Sequence, residues 1–269
     1  MKKYWFWFAF MVCSSSLQAM GNNDLLSITL DKHFYFSDVA EMKFDVSVKN
    51  NGSGLAFADI QLYRGGMVKD AGGQQDVVFE IESKLLDYDV YPSSVIIPPG
   101  QEKIIKIVKA KTGDEAKEQF YRLRVIPISP AELIKRNDAL WKSMSQAQQK
   151  ELLDEAGTST ATFSLSIGAG SVLTVQPKSK VDFQALTLSS NKGGLSVSNN
   201  GQYTVMLNEP KVFSANGEFV SFEQVILKPG DKKALVVAEH DRVRMDRIVN
   251  NKTRLTYMNQ YDEKITVSL

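Results

Sequence analysis

Short apolar runs broken by asparagine–glycine and proline–glycine turns constrain the fold of this chain more than any other feature. Residues 27–36, 42–49, 56–64, 77–82, 103–108 and 120–128 are rich in Val, Ile, Phe and Tyr. Asn50-Asn51-Gly52, Gly65-Gly66, Gly72-Gly73 and Pro98-Pro99-Gly100 punctuate them. Branched and aromatic side chains suit a pleated, half-buried surface, and Gly, Asn and Pro supply the backbone angles of turns. Strands at this spacing, with no helices between them, predict a β-sandwich.

The pattern recurs after Pro177. Residues 181–188, 194–198, 203–208, 224–227, 234–238, 254–258 and 264–267 read as strands, with turns at Asn199-Asn200-Gly201, Asn216-Gly217 and Lys228-Pro229-Gly230. This second all-β unit of about 90 residues has the size of a domain. The expected architecture is therefore all-β: an N-terminal sandwich over 22–176, a hinge at Pro177-Lys178-Ser179-Lys180, and a C-terminal sandwich over 178–269. Only residues from about 130 to 157 break the pattern. There Leu133, Ile134, Leu140, Trp141, Met144, Leu152 and Leu153 stand among Lys, Gln and Glu at spacings near three and four. That reads either as a partly helical insertion or as a polar loop with a helical turn or two.

Between this insertion and Pro177 lies TATFSLSIGAGSVLTVQ, residues 160–176. Phe163, Leu165 and Ile167 alternate with Thr162, Ser164 and Ser166, giving one greasy and one polar face. Gly168 and Gly170 interrupt the run before Val172, Leu173 and Val175 resume it. Two readings stay open on the pattern alone: an ordinary half-buried strand, or an edge strand offered to another protein.

The start of the chain has the make-up of a secretory signal over 1–19: Lys2 and Lys3, an unbroken apolar run from Tyr4 to Val12, and small residues leading to Ala19. Cleavage fits after Ala19 or after Gly21. The run is too short to cross a bilayer, which takes about 20 apolar residues, and no stable membrane insertion is expected. Cys13 is the only cysteine, and Phe10-Met11-Val12 before it suit a lipid-modified cysteine poorly. An exported chain without disulfides must stand on its apolar core, for which about 250 residues are ample. The whole-chain net charge of +1 becomes −1 once Lys2 and Lys3 are set aside, so nothing points to nucleic acid.

Catalytic and metal chemistry find no foothold. His33 and His240 are the only histidines and have no partners at metal-ligand spacing. No serine sits in a Gly-x-Ser-x-Gly elbow. Gly168-Ala169-Gly170 begins like a dinucleotide turn but lacks the third glycine and leads into a strand. Asp87 with Asp89, and Glu80 with Glu82, are carboxylate pairs at strand spacing, as any solvated strand carries them. The mixed-charge run Asp241-Arg242-Val243-Arg244-Met245-Asp246-Arg247 reads as a solvated turn or strand edge. No catalytic residue, cofactor or metal is expected.

Four passages in order resemble the periplasmic pilus chaperones of the chaperone–usher pathway. Residues 91–100 (YPSSVIIPPG), followed by Lys103-Ile104-Ile105-Lys106-Ile107, resemble that family's Pro-centred turn into a basic, apolar strand. Phe120-Tyr121-Arg122-Leu123-Arg124-Val125-Ile126-Pro127 is similar to its F strand. Residues 167–177 are similar to the end of its G strand and the proline exit to the second domain. Residues 197–205 (VSNNGQYTV) resemble its second-domain hairpin, and Val225-Ile226-Leu227-Lys228-Pro229-Gly230 fits the turn after it. The match is closest to the alternate branch, which serves common-pilus and colonisation-factor pili.

The resemblance implies two immunoglobulin-like domains and a pilin subunit bound in and beside the cleft between them. The subunit lacks its last strand, and the chaperone lends its own by main-chain pairing, with alternate side chains entering pockets. Here the lent residues would be Phe163, Leu165 and Ile167, with Ala161 at one end. An outer-membrane usher would receive the complex. The family's G-strand basic residue, which helps hold the subunit's carboxylate, falls at Val172, and its first-strand partner near Lys32 or His33, or at Phe34 by a shift of register. Lys32, Arg122 and Arg124 are candidates for a rearranged anchor, and each also reads as an ordinary exposed strand charge. An apolar edge of this kind could also pair two copies of the chain. The rival reading is a structural or adhesive pilus component built from the same sandwiches.

Overall fold

The computed structural model describes residues 27–69, 75–79, 87–110, 117–129, 142, 144–150, 168–191, 194–237, 241, 244–245, 248 and 252–268. The first unit comprises β1 (Ile28–Leu30), β2 (Phe34–Asp38), β3 (Lys43–Asn50), β4 (Ala56–Lys69), β5 (Gln75–Phe79), β6 (Tyr88–Tyr91), β7 (Ser94–Ile97), β8 (Glu102–Lys109), β9 (Gln119–Pro127) and β10 (Ala169–Gln176). One sheet runs β1-β3-β8-β6, the other β2-β10-β9-β4-β5, with β7 also on β4. Period-two alternation turns Val46, Val48, Ile105 and Ile107 of the first sheet toward Leu123 and Leu173 of the second, all buried in one core. Each such side chain contributes roughly 1.5–3 kcal/mol of transfer free energy, and this burial holds together a domain without disulfides.

The second unit comprises β11 (Leu186–Asn191), β12 (Gly194–Asn199), β13 (Val205–Ser214), β14 (Phe219–Ser221), β15 (Val225–Leu227), β16 (Lys232–Ala234), β17 (Lys252–Met258) and β18 (Lys264–Ser268). Its sheets run β11-β12-β16 and β14-β13-β17-β18, with β15 on β13. Leu195, Val197, Leu207, Val212, Leu255 and Val267 form a separate core. Pro177 and a 3-10 turn at Lys178–Lys180 join the units. The fold is two immunoglobulin-like β-sandwiches: the turn punctuation predicts the two sandwiches, and the resemblance implies their immunoglobulin-like class.

Both sandwiches are closed by the same corner. Asn50, at the end of β3, donates through Nδ2 to Gly54 O (2.8 Å) and Ile97 O (2.9 Å), and its Oδ1 accepts from Gly52 N (2.9 Å). Asn199, at the end of β12, donates to Tyr203 O (2.8 Å) and Leu227 O (3.0 Å) and accepts from Gly201 N (2.9 Å). The glycine of the Pro-Gly turn donates to the asparagine carbonyl in each, Gly100 to Asn50 and Gly230 to Asn199, at 2.9 Å. Gly100 and Gly230 have positive φ (70° and 79°), which glycine adopts without strain.

Several strand boundaries differ from the sequence expectation. Residues 27–36 read as one strand but form two, β1 antiparallel to β3 and β2 parallel to β10 in the opposite sheet. Asp31 pins the crossing: its Oδ1 accepts from Ser47 N (3.0 Å) and from the Tyr35 hydroxyl. The strand expected from 181 starts only at Leu186, because Asp182 Oδ1 accepts from Gln184 N (2.9 Å) in a turn. Asp241 is not solvated: at 3% exposure it accepts from Ser221 N (2.9 Å). Within the 130–157 insertion, residues 146–150 are helical, with a reciprocal Ser145–Gln148 capping box. Met144 before that helix is buried beside Phe57 and Ile128.

Candidate functional site: the open edge of β10 and the interdomain cleft

β10 has two neighbours of unequal length. Its inner edge pairs antiparallel with β9 from Ala169 (opposite Val125) to Val175 (opposite Gln119). Its outer edge pairs with β2 only from Val172 (opposite Phe34) to Gln176 (opposite Asp38). The pairing begins where Val172 N donates to His33 O (3.1 Å), and the Ser171 hydroxyl donates to the same carbonyl (2.7 Å). Upstream of Ser171 the outer edge of β10 has no strand partner among the described residues.

Gly168 lies where this edge meets β9. A Cβ there would stand 2.7 Å from Val125 O, so only glycine lets the two backbones approach this closely. Ser171, Leu173 and Val175 are buried, with the last two in the first core. The odd-numbered positions of β10 are therefore the inward ones. Ala161, Phe163, Leu165 and Ile167 share that parity, and all four lie outside the described residues.

The registers order the outer face of this sheet. Tyr63, Arg122, Val172 and Phe34 form one row across β4, β9, β10 and β2, and Gln61, Arg124 and Gly170 form the next. Val172, where the resemblance puts the strand's own basic residue, stands beside Phe34, which is 39% exposed; of the three first-strand positions expected near it, Lys32, His33 and Phe34, the register brings Phe34 opposite. Arg122 and Arg124 point outward but are drawn along the sheet. The Arg122 guanidinium lies 5.5 Å from the Phe79 ring centroid and that of Arg124 lies 5.9 Å from Tyr63. Such cation–π contacts hold a charge against the sheet surface.

Lys32 stands elsewhere. With His33 and Phe34 it lines the N-terminal wall of a cleft of about 360 Å³, opposite Asn208, Gln224 and Gln260 of the second sandwich. The structure thus separates the three candidate anchors: Lys32 in the cleft, the two arginines on the sheet face. Asp31 also lines the cleft, and its carboxylate is committed to the Tyr35 hydroxyl, whose ionisation burial and Asp31 together push up. Asp87 is engaged by Arg64 (3.4 Å) and by the Tyr121 hydroxyl, which donates to it (3.3 Å).

Sequence reasoning missed the polar amide wall of the cleft. Asn208, Gln224 and Gln260 are unremarkable in isolation, and only the fold brings them opposite Lys32.

No family model and no curated protein matches the chain. Solved structures do. The E. coli chaperone DraB is 12% identical, with 91% of this chain aligned to 98% of that one at a TM-score of 0.48. The Pseudomonas aeruginosa CupB2 chaperone is 13% identical, over 89% of this chain and all of that one, at 0.46. A structure of the Salmonella enterica SafA pilin in complex with the SafB chaperone is matched at 15% identity, over 91% of this chain and 97% of that one, at 0.44. The solved structures to which this chain is similar include pilus chaperones of the chaperone–usher pathway, and at these identities the likeness is one of fold.

Proposed function

We propose that this protein is a periplasmic chaperone without enzymatic activity. It holds pilin subunits by lending them the strand that runs into β10, and hands them to an outer-membrane usher. One observation carries the reading: β2 covers the outer edge of β10 only from Val172 onward. At Ala169 and Gly170 the outer edge has no strand partner among the described residues, which leaves main-chain groups for one. In the sequence, Phe163, Leu165 and Ile167 alternate with polar residues in the parity of the inward positions of β10, the pattern of a strand with one apolar face. Burying three such side chains supplies about 1.5–3 kcal/mol each before the cost of association. That is enough to hold an unstable client and still release it.

In this reading Lys32 meets the subunit's carboxylate in the cleft, and Arg122 and Arg124 meet the subunit on the sheet face beside it. The leader over 1–19 carries the protein to the periplasm. The test is co-purification of a pilin subunit from periplasm with a Leu165→Asp, Ile167→Asp variant. Loss of the subunit from a variant that stays folded is expected. Stable retention of the subunit overturns strand donation.

A further inference from the structure

The chain holds three Asn-Gly dipeptides, Asn51-Gly52, Asn200-Gly201 and Asn216-Gly217. Asparagine is a thermolabile residue, and a following glycine puts no side chain in the way of attack on its carboxamide. In that attack the glycine nitrogen gives its proton to water and bonds to the asparagine Cγ. The side-chain nitrogen leaves as ammonia and a five-membered succinimide closes. Water then opens the ring at either carbonyl, giving aspartate or isoaspartate. One water is taken up and one ammonia lost, with no oxidant or cofactor. In a folded chain the reaction is opposed by hydrogen bonds on the glycine N–H and on the asparagine, and by burial of the nitrogen.

The two corner pairs carry all of these restraints. Gly52 N donates to Asn50 Oδ1 and Gly201 N to Asn199 Oδ1, each at 2.9 Å. Asn50 and Asn199 are fully buried. The side chains that would be attacked are held as well: Asn51 Nδ2 donates to Thr29 Oγ1 (2.8 Å) and Asn200 Nδ2 to Thr187 Oγ1 (3.2 Å). Their backbone N–H groups donate to Ser27 O (2.8 Å) and Ala185 O (2.9 Å). Gly52 and Gly201 are themselves half-buried.

The third pair lies in the turn between β13 and β14, where residues 215–218 are all exposed. Asn216 makes no hydrogen bond among the described residues, through side chain or backbone. Gly217 N makes one, to Ser214 O (3.0 Å), across this open turn. No atom beyond the chain neighbours stands within 4 Å of where a Gly217 Cβ would be, so nothing crowds closure of the ring. We propose that Asn216 is a site of spontaneous deamidation in the folded protein, and that Asn50 and Asn199 shield the corner pairs from the same reaction. Opening a corner pair breaks the bonds of the asparagine as well as that of the glycine, which slows attack on the order of tenfold or more. The product adds a negative charge and, as isoaspartate, an extra methylene in the main chain of the turn. β14 pairs with β13 only over Lys211–Ser221, Val212–Val220 and Phe213–Phe219, so a lengthened turn loosens this edge. The site is at the far end of β13 from Met206 and Asn208, which line the cleft. Conversion therefore marks the age of the protein and leaves the cleft as it was.

The experiment holds the purified protein at mildly alkaline pH and body temperature, folded in one arm and unfolded in urea in the other. The three peptides are followed by mass spectrometry with fragmentation that separates aspartate from isoaspartate. In urea the three pairs should convert at similar rates. In the folded arm Asn216 should convert on the order of tenfold or more faster than Asn51 and Asn200. Asn50→Ala removes the acceptor of Gly52 N and should speed Asn51 while leaving Asn216 unchanged. Thr29→Ala, which frees the Asn51 side chain at an exposed position, gives the same reading if Asn50→Ala does not fold. An Asn216 that stays intact when folded over the time in which the urea arm converts overturns the proposal. So do corner pairs that react as fast as Asn216 in the folded arm, or an Asn51 rate unchanged in the folded variant. None of these outcomes depends on what the protein binds.

Discussion

The two sandwiches are built to one plan at their corners and to two plans at their edges. Asn50 and Asn199 make the same three side-chain hydrogen bonds, to equivalent partners, beside equivalent Pro-Gly turns. Their edges differ. In the first sandwich the opening strand crosses between sheets at Asp31 and returns as β2, parallel to β10, covering only five residues of it. In the second, the last strand, β18, pairs with β17 alone among the described residues. A corner repeated in both halves is a requirement of the fold. Only the first half covers its last strand downstream and leaves it open upstream, which offers a partner a bounded stretch of edge.

The sharpest way to break the parity of the corners is to remove them in turn. Asn50→Ala and Asn199→Ala each remove a fully buried amide and the hydrogen bonds it gives to two backbone carbonyls. Each should lower the stability of its own sandwich by about 2–4 kcal/mol, read by denaturant unfolding. If one loss is negligible and the other large, the corners are not equivalent. Gly168→Ala comes next. The added methyl meets Val125 O at 2.7 Å and must push β10 from β9 at the start of the open edge, costing about 1–3 kcal/mol. Gly217→Ala, in an open turn of the second sandwich, meets no atom but carries a φ of 83°. It should cost about 1 kcal/mol. A larger effect at Gly217 than at Gly168 reverses the comparison.

Tyr35→Phe removes the hydroxyl that Asp31 holds at the sheet crossing and should cost about 1 kcal/mol, read as a lowered Tm. The smallest effect on stability belongs to Lys32→Ala. Lys32 is exposed, so stability should hold within about 0.5 kcal/mol while capture of a pilin subunit weakens. Unchanged capture removes Lys32 from the anchor.

What could be read in the sequence follows from how local each signal is. The alternation in 120–128 places Tyr121, Leu123 and Val125 in the core and Arg122 and Arg124 outside, as β9 has them. The Asn-Asn-Gly and Pro-Gly turns are likewise local, and both recur at the corners. The split of residues 27–36 was not legible, because it depends on Asp31 meeting Ser47 from a different strand. Phe219–Ser221 pairs with β13 as a three-residue strand, too short for any period to declare itself. The contact between the sandwiches is the extreme case: Glu118, Gln176, Thr204 and Gln260 are ordinary residues that only the docking of two domains brings into hydrogen bonding. Val172 in place of a basic residue was legible from the resemblance. That Phe34 stands beside it, and that Lys32 lines the cleft, needed the register of β2 on β10 and the docking of the second sandwich.

The central claim is that the edge running into β10 is the surface lent to a subunit, and amide hydrogen exchange reads it directly. The free chaperone and its complex with a co-purified pilin subunit would be compared peptide by peptide. The account predicts that amides in 160–168 exchange freely in the chaperone alone and become protected in the complex, while β11 and β18, edge strands of the second sandwich, stay unchanged. Protection at β11 or β18 with none in 160–168 contradicts it.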